Sequence, residues 1–191
     1  SQHHTSGDME FLVAGEGFAY IDQVDQAEPL RAVEEEMTIR YFDTDRPVVQ
    51  LHLGGGTPTF LSPAELGALL DGLAARLPVR DGRFEGAIEV DPRVTTHAHL
   101  DTLRAHGLTR LSLGVQDVTE EVQHLVNRVQ PVPVTAALTS YARANGFESI
   151  NFDLIYGLPG QTLESMAKLA DVVLELAPDR LAVYSFARVP W

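Results

Sequence analysis

Short apolar runs and amphipathic stretches alternate along most of this chain, a pattern that predicts repeated βα units built on parallel strands. The expected strands are Val48 to Leu53, Ala87 to Val90, Arg110 to Val115, Ile150 to Tyr156 and Leu181 to Phe186. They are rich in β-branched, leucine and aromatic residues, as strands covered on both faces should be. Between them the helix signals are regular. Ser62-Pro63-Ala64-Glu65 is a capping box with proline at the first helical position, after which Leu66, Leu69, Leu70 and Leu73 fall on one face. Thr96 to His106 stops at Gly107, Val134 to Asn145 at Gly146, and Thr162 to Leu176 before Pro178, all common helix endings. A short helix is expected over Glu120 to Asn127. Another is expected over Pro29 to Tyr41, where Leu30, Val33 and Met37 share a face and Glu34, Glu35 and Glu36 are mostly solvated. Five such strands describe either a doubly wound open sheet or part of a β/α barrel. Both architectures place functional residues at the carboxyl ends of the strands.

Composition narrows the function classes. With 191 residues, 45% of them hydrophobic and 21% charged, the chain suits one soluble globular domain with a sizeable core. A formal net charge of -13 gives no basic footprint for nucleic acid or an anionic membrane, so neither partner is expected. No apolar run approaches a spanning length. The start, Ser1-Gln2-His3-His4-Thr5-Ser6-Gly7, lacks a signal-peptide core and resembles residual tag sequence, so a cytoplasmic location is expected. The absence of cysteine removes disulfides, thiolate metal sites and cysteine nucleophiles together.

Polar residues recur at the expected strand ends: Gly54-Gly55-Gly56 after the first, Glu89 and Asp91 at the second, Gln116 and Asp117 after the third, and Asp153 within the fourth. Five segments, four of them carrying these residues, follow one another in order: Leu51-His52-Leu53-Gly54-Gly55-Gly56-Thr57-Pro58-Thr59-Phe60, Ile88-Glu89-Val90-Asp91-Pro92-Arg93, Leu113-Gly114-Val115-Gln116-Asp117, Val126-Asn127-Arg128, and Asn151-Phe152-Asp153-Leu154-Ile155-Tyr156-Gly157-Leu158-Pro159. Together they resemble the consecutive motifs of oxygen-independent coproporphyrinogen III oxidase, a radical S-adenosylmethionine enzyme of heme biosynthesis. The resemblance runs from about Asp45 to Pro190. It implies a partial β/α barrel of parallel strands with outer helices, and divides the chain into an altered amino-terminal segment, 1–26, and a barrel core, 27–191.

The resemblance also implies site residues, and each role is chemically reasonable. Gly55 and Gly56 would let the backbone approach the methionine end of S-adenosylmethionine, with the Thr57 hydroxyl beside them. Glu89 would accept from the cofactor's amino group or ribose, and Arg128 would pair with its carboxylate. Gln116 and Asp153 suit the ribose hydroxyls, while Ile155 and Ala187 would supply apolar and backbone contacts around adenine. In the family a [4Fe-4S] cluster reduces S-adenosylmethionine to a 5'-deoxyadenosyl radical, which abstracts hydrogen from the substrate propionates.

One departure changes this expectation. The family's Cys-x-x-x-Cys-x-x-Cys loop follows its first barrel strand, and here the matching space, Met9 to Asp25, contains no thiolate. The chain also ends at Trp191, where the family continues. This polypeptide is therefore expected to be catalytically incompetent alone and to bind S-adenosylmethionine weakly. The alternatives are a non-catalytic module for S-adenosylmethionine or another nucleoside, and an interaction or scaffold fragment. No metal site is expected. His3 and His4 read as terminal residues, His97, His99, His106 and His124 as helix surfaces or ends, and His52 as a hydrogen-bonded core histidine. Phe11 to Ala14 is the candidate to replace the family's first strand, either within the chain or across a homodimer.

Overall fold

The computed structural model describes residues 48–75 and 84–187, and the backbone of two further strands, Met9–Ala14 (β1) and Phe18–Ile21 (β2). The expected helix over Pro29 to Tyr41 and most of the proposed 1–26 segment lie outside the described residues. The remaining strands are β3 (Gln50–Gly55), β4 (Glu85–Val90), β5 (Leu108–Gln116), β6 (Ser149–Tyr156) and β7 (Arg180–Ser185). Each expected strand is present with its boundaries moved by a few residues. The helices are α1 (Pro63–Ala74), α2 (His97–Ala105), α3 (Glu120–Leu125), α4 (Val132–Ala144) and α5 (Leu163–Leu176).

All strands join one sheet in the order β2-β1-β3-β4-β5-β6-β7, with β3 through β7 mutually parallel. Because successive parallel strands are neighbours and such crossovers are right-handed, the connecting helices lie on the same face. That face holds the core. Leu51 and Leu53 of β3, Ile88 and Val90 of β4, Leu111, Leu113 and Val115 of β5, and Ile150, Phe152 and Leu154 of β6 are buried there with the leucines of α1. The opposite face carries Gln50, His52, Glu89, Arg110, Ser112, Asn151 and Asp153, exposed or half-buried. The expectation of strands covered on both faces is corrected accordingly. Apolar and polar residues alternate with period two, giving a core face and a polar inner face, as in part of a barrel whose lumen is lined with polar groups.

β1 occupies the edge of β3, pairing antiparallel from Met9↔Gly55 to Ala14↔Gln50, and β2 pairs antiparallel with β1. The segment expected to replace the first barrel strand therefore does so within this chain, and it runs against the parallel strands rather than with them.

Local chemistry fixes the helix starts. At α1 the Ser62 amide donates to Glu65 Oε2 at 2.8 Å and the Glu65 amide donates back to Ser62 Oγ at 3.3 Å, while Leu66, Leu69, Leu70 and Leu73 are buried as their spacing requires. At α2 an imidazole takes the capping-box role. The Thr96 amide donates to His99 Nδ1 at 3.0 Å, and His99 Nε2 lies 2.9 Å from the Leu61 carbonyl. His99 is thus buried, correcting its reading as a surface residue; its ring joins α2 to the turn that precedes α1.

Candidate functional site

Two clefts open on the polar inner face. The first, about 160 Å³, lies at the carboxyl ends of the strands and is lined by Gly56, Thr57, Glu89, Val90, Asp91, Ser112, Gly114, Gln116, Arg128 and Asp153. The second is larger, about 360 Å³, and lies toward the amino ends, where Gln50, His52, Glu85, Arg110, Ser149, Asn151 and Arg180 contribute to its lining. Volume favours the second and chemistry the first. Arg110 in the larger cleft is already paired with Glu85, whereas the smaller cleft gathers acids, a guanidinium and backbone at the strand ends where β/α folds place ligands.

Backbone conformation shapes the smaller cleft. The turn after β3 has Gly55 at φ 74° and Gly56 at φ 27°, values that suit residues lacking a side chain. At the end of β5 the register shifts between Gly114 and Gln116, and Gln116 adopts φ 62°, a strained value for a non-glycine residue. Such strain persists where the surroundings enforce it. A Cβ on Gly114 would lie 2.9 Å from Arg128 Nη2 and 3.1 Å from Gln116 Nε2, so the missing side chain makes room for both.

Arg128 follows α3, its amide donating to the Gln123 carbonyl at 2.8 Å after Asn127 takes a left-handed φ of 53°. Its Nη2 donates to the Gly114 carbonyl at 3.2 Å and lies 3.2 Å from Asp91 Oδ2. Its Nε is buried and has no hydrogen-bond partner among the described residues. Burial pulls the guanidinium below its ordinary pKa, and the Asp91 charge opposes that pull. Asp91 is itself buried and is also gripped by Arg93, whose amide, Nε and Nη2 donate to it at 2.9, 3.0 and 2.6 Å. Burial works to raise the Asp91 pKa, but the Arg93 hydrogen bonds and the charges of Arg128 and Arg93 prevail and hold it below the usual carboxylate value.

On the floor, Asp153 accepts from Ser112 Oγ at 2.8 Å and Asn151 Nδ2 at 2.7 Å. Burial raises its pKa against those two hydrogen bonds, and the Glu89 charge adds to the rise. Glu89 Oε1 lies 3.3 Å from His52 Nε2. His52, with 39% of its side chain exposed, belongs to the inner face and not to the core, because its position in β3 alternates with the buried Leu51 and Leu53. The loop after β6 is tied down by Gln161, which donates to the Ile155 carbonyl at 2.8 Å and accepts from the Leu158 amide at 2.9 Å.

Of the site residues named from sequence, the cleft brings together Gly56, Thr57, Glu89, Gln116, Arg128 and Asp153. Gly55 adjoins it in the same turn. Ile155, half-buried near the end of β6, and Ala187, exposed just beyond β7, are outside its lining. Sequence reasoning missed Asp91, Ser112 and Gly114 as site residues. Ser112 and Gly114 precede Gln116 at intervals of two along β5, so period-two alternation would have found them.

Comparison with known proteins agrees with this fold. A family model described as the radical SAM superfamily matches residues 17–173. Oxygen-independent coproporphyrinogen III oxidase from Helicobacter pylori (strain ATCC 700392 / 26695) is 48% identical over 149 residues, covering 78% of this chain and 33% of that protein. The Salmonella typhimurium protein of the same name is 49% identical over 162 residues, covering 84% of this chain and 35% of its own length. The solved structure of coproporphyrinogen III oxidase (HemN) from Escherichia coli, a radical SAM enzyme, superposes with a TM-score of 0.81 at 45% identity, over 87% of this chain and 39% of that one. A radical S-adenosylmethionine methyltransferase, TsrM from Kitasatospora setae, has a TM-score of 0.64 at 17% identity over 87% of this chain and 32% of its own, a likeness of fold alone. The chain spans about a third of the length of the curated relatives it matches.

Proposed function

This chain belongs to the radical SAM superfamily, and from that premise we propose that the cleft at its strand ends binds S-adenosylmethionine as part of the barrel core of a coproporphyrinogen III oxidase-like protein. One observation carries the reading: Arg128, whose buried Nε has no hydrogen-bond partner among the described residues, lines a cleft that also holds Glu89, Gln116 and Asp153. A guanidinium lining a cleft can receive a ligand carboxylate through charge-assisted hydrogen bonds. Glu89 supplies an acceptor for the ligand's ammonium, Asp153 and Gln116 face its hydroxyls, and the Gly55-Gly56 turn admits its backbone-like end.

When bound, S-adenosylmethionine supplies a sulfonium-activated adenosyl group. The family's [4Fe-4S] cluster does not fit the residues present. The 191 residues include no cysteine, and no group of three or more His, Asp or Glu side chains suited to a metal occurs among the described residues. We therefore propose that this polypeptide binds the cofactor without cleaving it. Oxidative decarboxylation of coproporphyrinogen III is the activity proposed for a cluster-bearing protein of this type.

Isothermal titration with S-adenosylmethionine tests the binding. The expected dissociation constant is about 0.1 to 1 mM, since only polar contacts and cleft walls contribute. Arg128→Ala and Asp153→Ala should each weaken it about tenfold. Tight binding indifferent to both substitutions, or no saturable heat at several times the expected constant, rejects the assignment.

A further inference from the structure

His52 links the two clefts on the inner face: it lines the larger one and bonds Glu89 of the smaller. Two residues along the same face, Gly54 leaves the space in which the pair sits. A Cβ there would lie 3.0 Å from both Glu89 Oε1 and His52 Nε2. Glu89 has no other polar partner among the described residues, so one carboxylate oxygen is engaged by the imidazole and the other is left for a ligand. An ionised carboxylate only accepts, which requires His52 to carry its proton on Nε2.

We propose that His52 is a positioning residue: by donating Nε2–H to Glu89 Oε1 it holds the carboxylate in the orientation that receives the ammonium group of S-adenosylmethionine. The inference rests on the binding reading above and adds to it a residue that does not line the cofactor cleft. A free glutamate on a strand samples several rotamers and loses that freedom when a ligand binds. Fixing it beforehand lowers the cost of association. The charged residues on this face are Glu85 and Glu89 on β4, Arg110 on β5, Asp153 on β6 and, at the far end of the sheet, Arg180 on β7. Arg110 is occupied by Glu85 and Asp153 by Ser112 and Asn151, which leaves Glu89 as the natural partner of the ring.

Two measurements test the proposal on the whole chain. Imidazole ¹⁵N–¹H correlation without ligand should show His52 as the Nε2–H tautomer, an assignment lost in Glu89→Gln; a dominant Nδ1–H tautomer overturns the proposal even if the protein binds S-adenosylmethionine. In titrations with S-adenosylmethionine, His52→Leu should weaken binding about tenfold, while His52→Gln, whose amide donates to the same oxygen, should stay within about threefold of the parent. In a Glu89→Gln background the His52→Leu effect should shrink to nearly nothing, as coupled residues require. If the parent binds and Arg128→Ala weakens it but His52→Leu does not, the positioning role alone is rejected. If the parent fails to bind, the proposed function falls and this inference falls with it. Should His52→Leu fold poorly by near-UV circular dichroism, the tautomer signal and the comparison of His52→Gln with Glu89→Gln decide the question.

Discussion

Removing the Asp91 carboxylate should destabilise the chain more than removing either of its arginine partners. Asp91 is 5% exposed and accepts from Arg93 through the amide, Nε and Nη2, while Arg128 stands 3.2 Å away. Asp91→Ala leaves two guanidiniums without their shared counter-charge. Breaking a fully buried pair from one side costs about 3 to 5 kcal/mol. The Arg93 side chain is 35% exposed and can turn to water, and Arg128 keeps the Gly114 carbonyl, so about 2 to 3 kcal/mol is expected. For a domain of this size that corresponds to a fall in melting temperature of about 4 to 12 °C. Arg128→Ala leaves Asp91 gripped by Arg93 and removes a partly buried charge, so its cost should stay near 1 kcal/mol or below. The pH dependence has a definite sign: the Asp91 pKa is depressed, so its contribution is present above the unfolded carboxylate value near 3.9 and is lost as pH falls through the lower folded value. Thermal unfolding by circular dichroism at pH 7 and through the acid range measures both effects. If Asp91→Ala melts within about 1 °C of the parent, or Arg128→Ala is the more damaging change, the network does not hold the cleft as described.

Asp153→Asn should show the opposite pH behaviour. Burial, the first cause, raises the Asp153 pKa, so its ionisation cost is absent below the unfolded value near 3.9, grows as pH rises above it and is complete above the folded value; the variant should gain stability relative to the parent as pH rises over that range in denaturant titrations. His99→Ala removes the capping ring of α2 and its link to Leu61, at an expected cost of about 1 to 2 kcal/mol, whereas His99→Gln should recover part of it; equal losses in both variants would contradict the capping role. Anaerobic reconstitution with iron and sulfide should leave no stoichiometric protein-bound brown chromophore, and a stable cluster that cleaves S-adenosylmethionine would overturn the reading of the donor set.

Helices with chemical punctuation were legible in the sequence. Ser62, Pro63 and Glu65 announce α1, and the leucine spacing names its buried face. The five parallel strands were legible along the chain, whereas β2 was not. Their division into a core face and a polar inner face was not, because runs such as Ala87 to Val90 look apolar in bulk, and only the alternating burial separates Ile88 and Val90 from Ala87 and Glu89. The same oversight sent His52 to the core. His99 was missed because histidine is an unusual third residue for a capping box. Phe11 to Ala14 was recognisable as an edge strand, but its antiparallel direction depends on a hairpin whose pairing the residue pattern does not reveal. The candidate site residues followed from the resemblance, and polar residues at strand ends agreed with them because β/α topology concentrates ligands there. Asp91 was seen in its motif yet not given a role, since its partnership with Arg128 joins the end of β4 to the segment after α3, a contact that only the folded sheet creates.

The central claim is that the small cleft, and not the larger one, receives S-adenosylmethionine. Backbone amide spectra of the ¹⁵N-labelled chain, recorded while S-adenosylmethionine is added, test it most directly. The account predicts saturable shifts concentrated at Gly56, Thr57, Glu89, Gln116 and Arg128, with Glu85, Arg110, Ser149 and Arg180 unmoved. Shifts centred on that second group, or a spectrum unchanged at millimolar ligand, would contradict it.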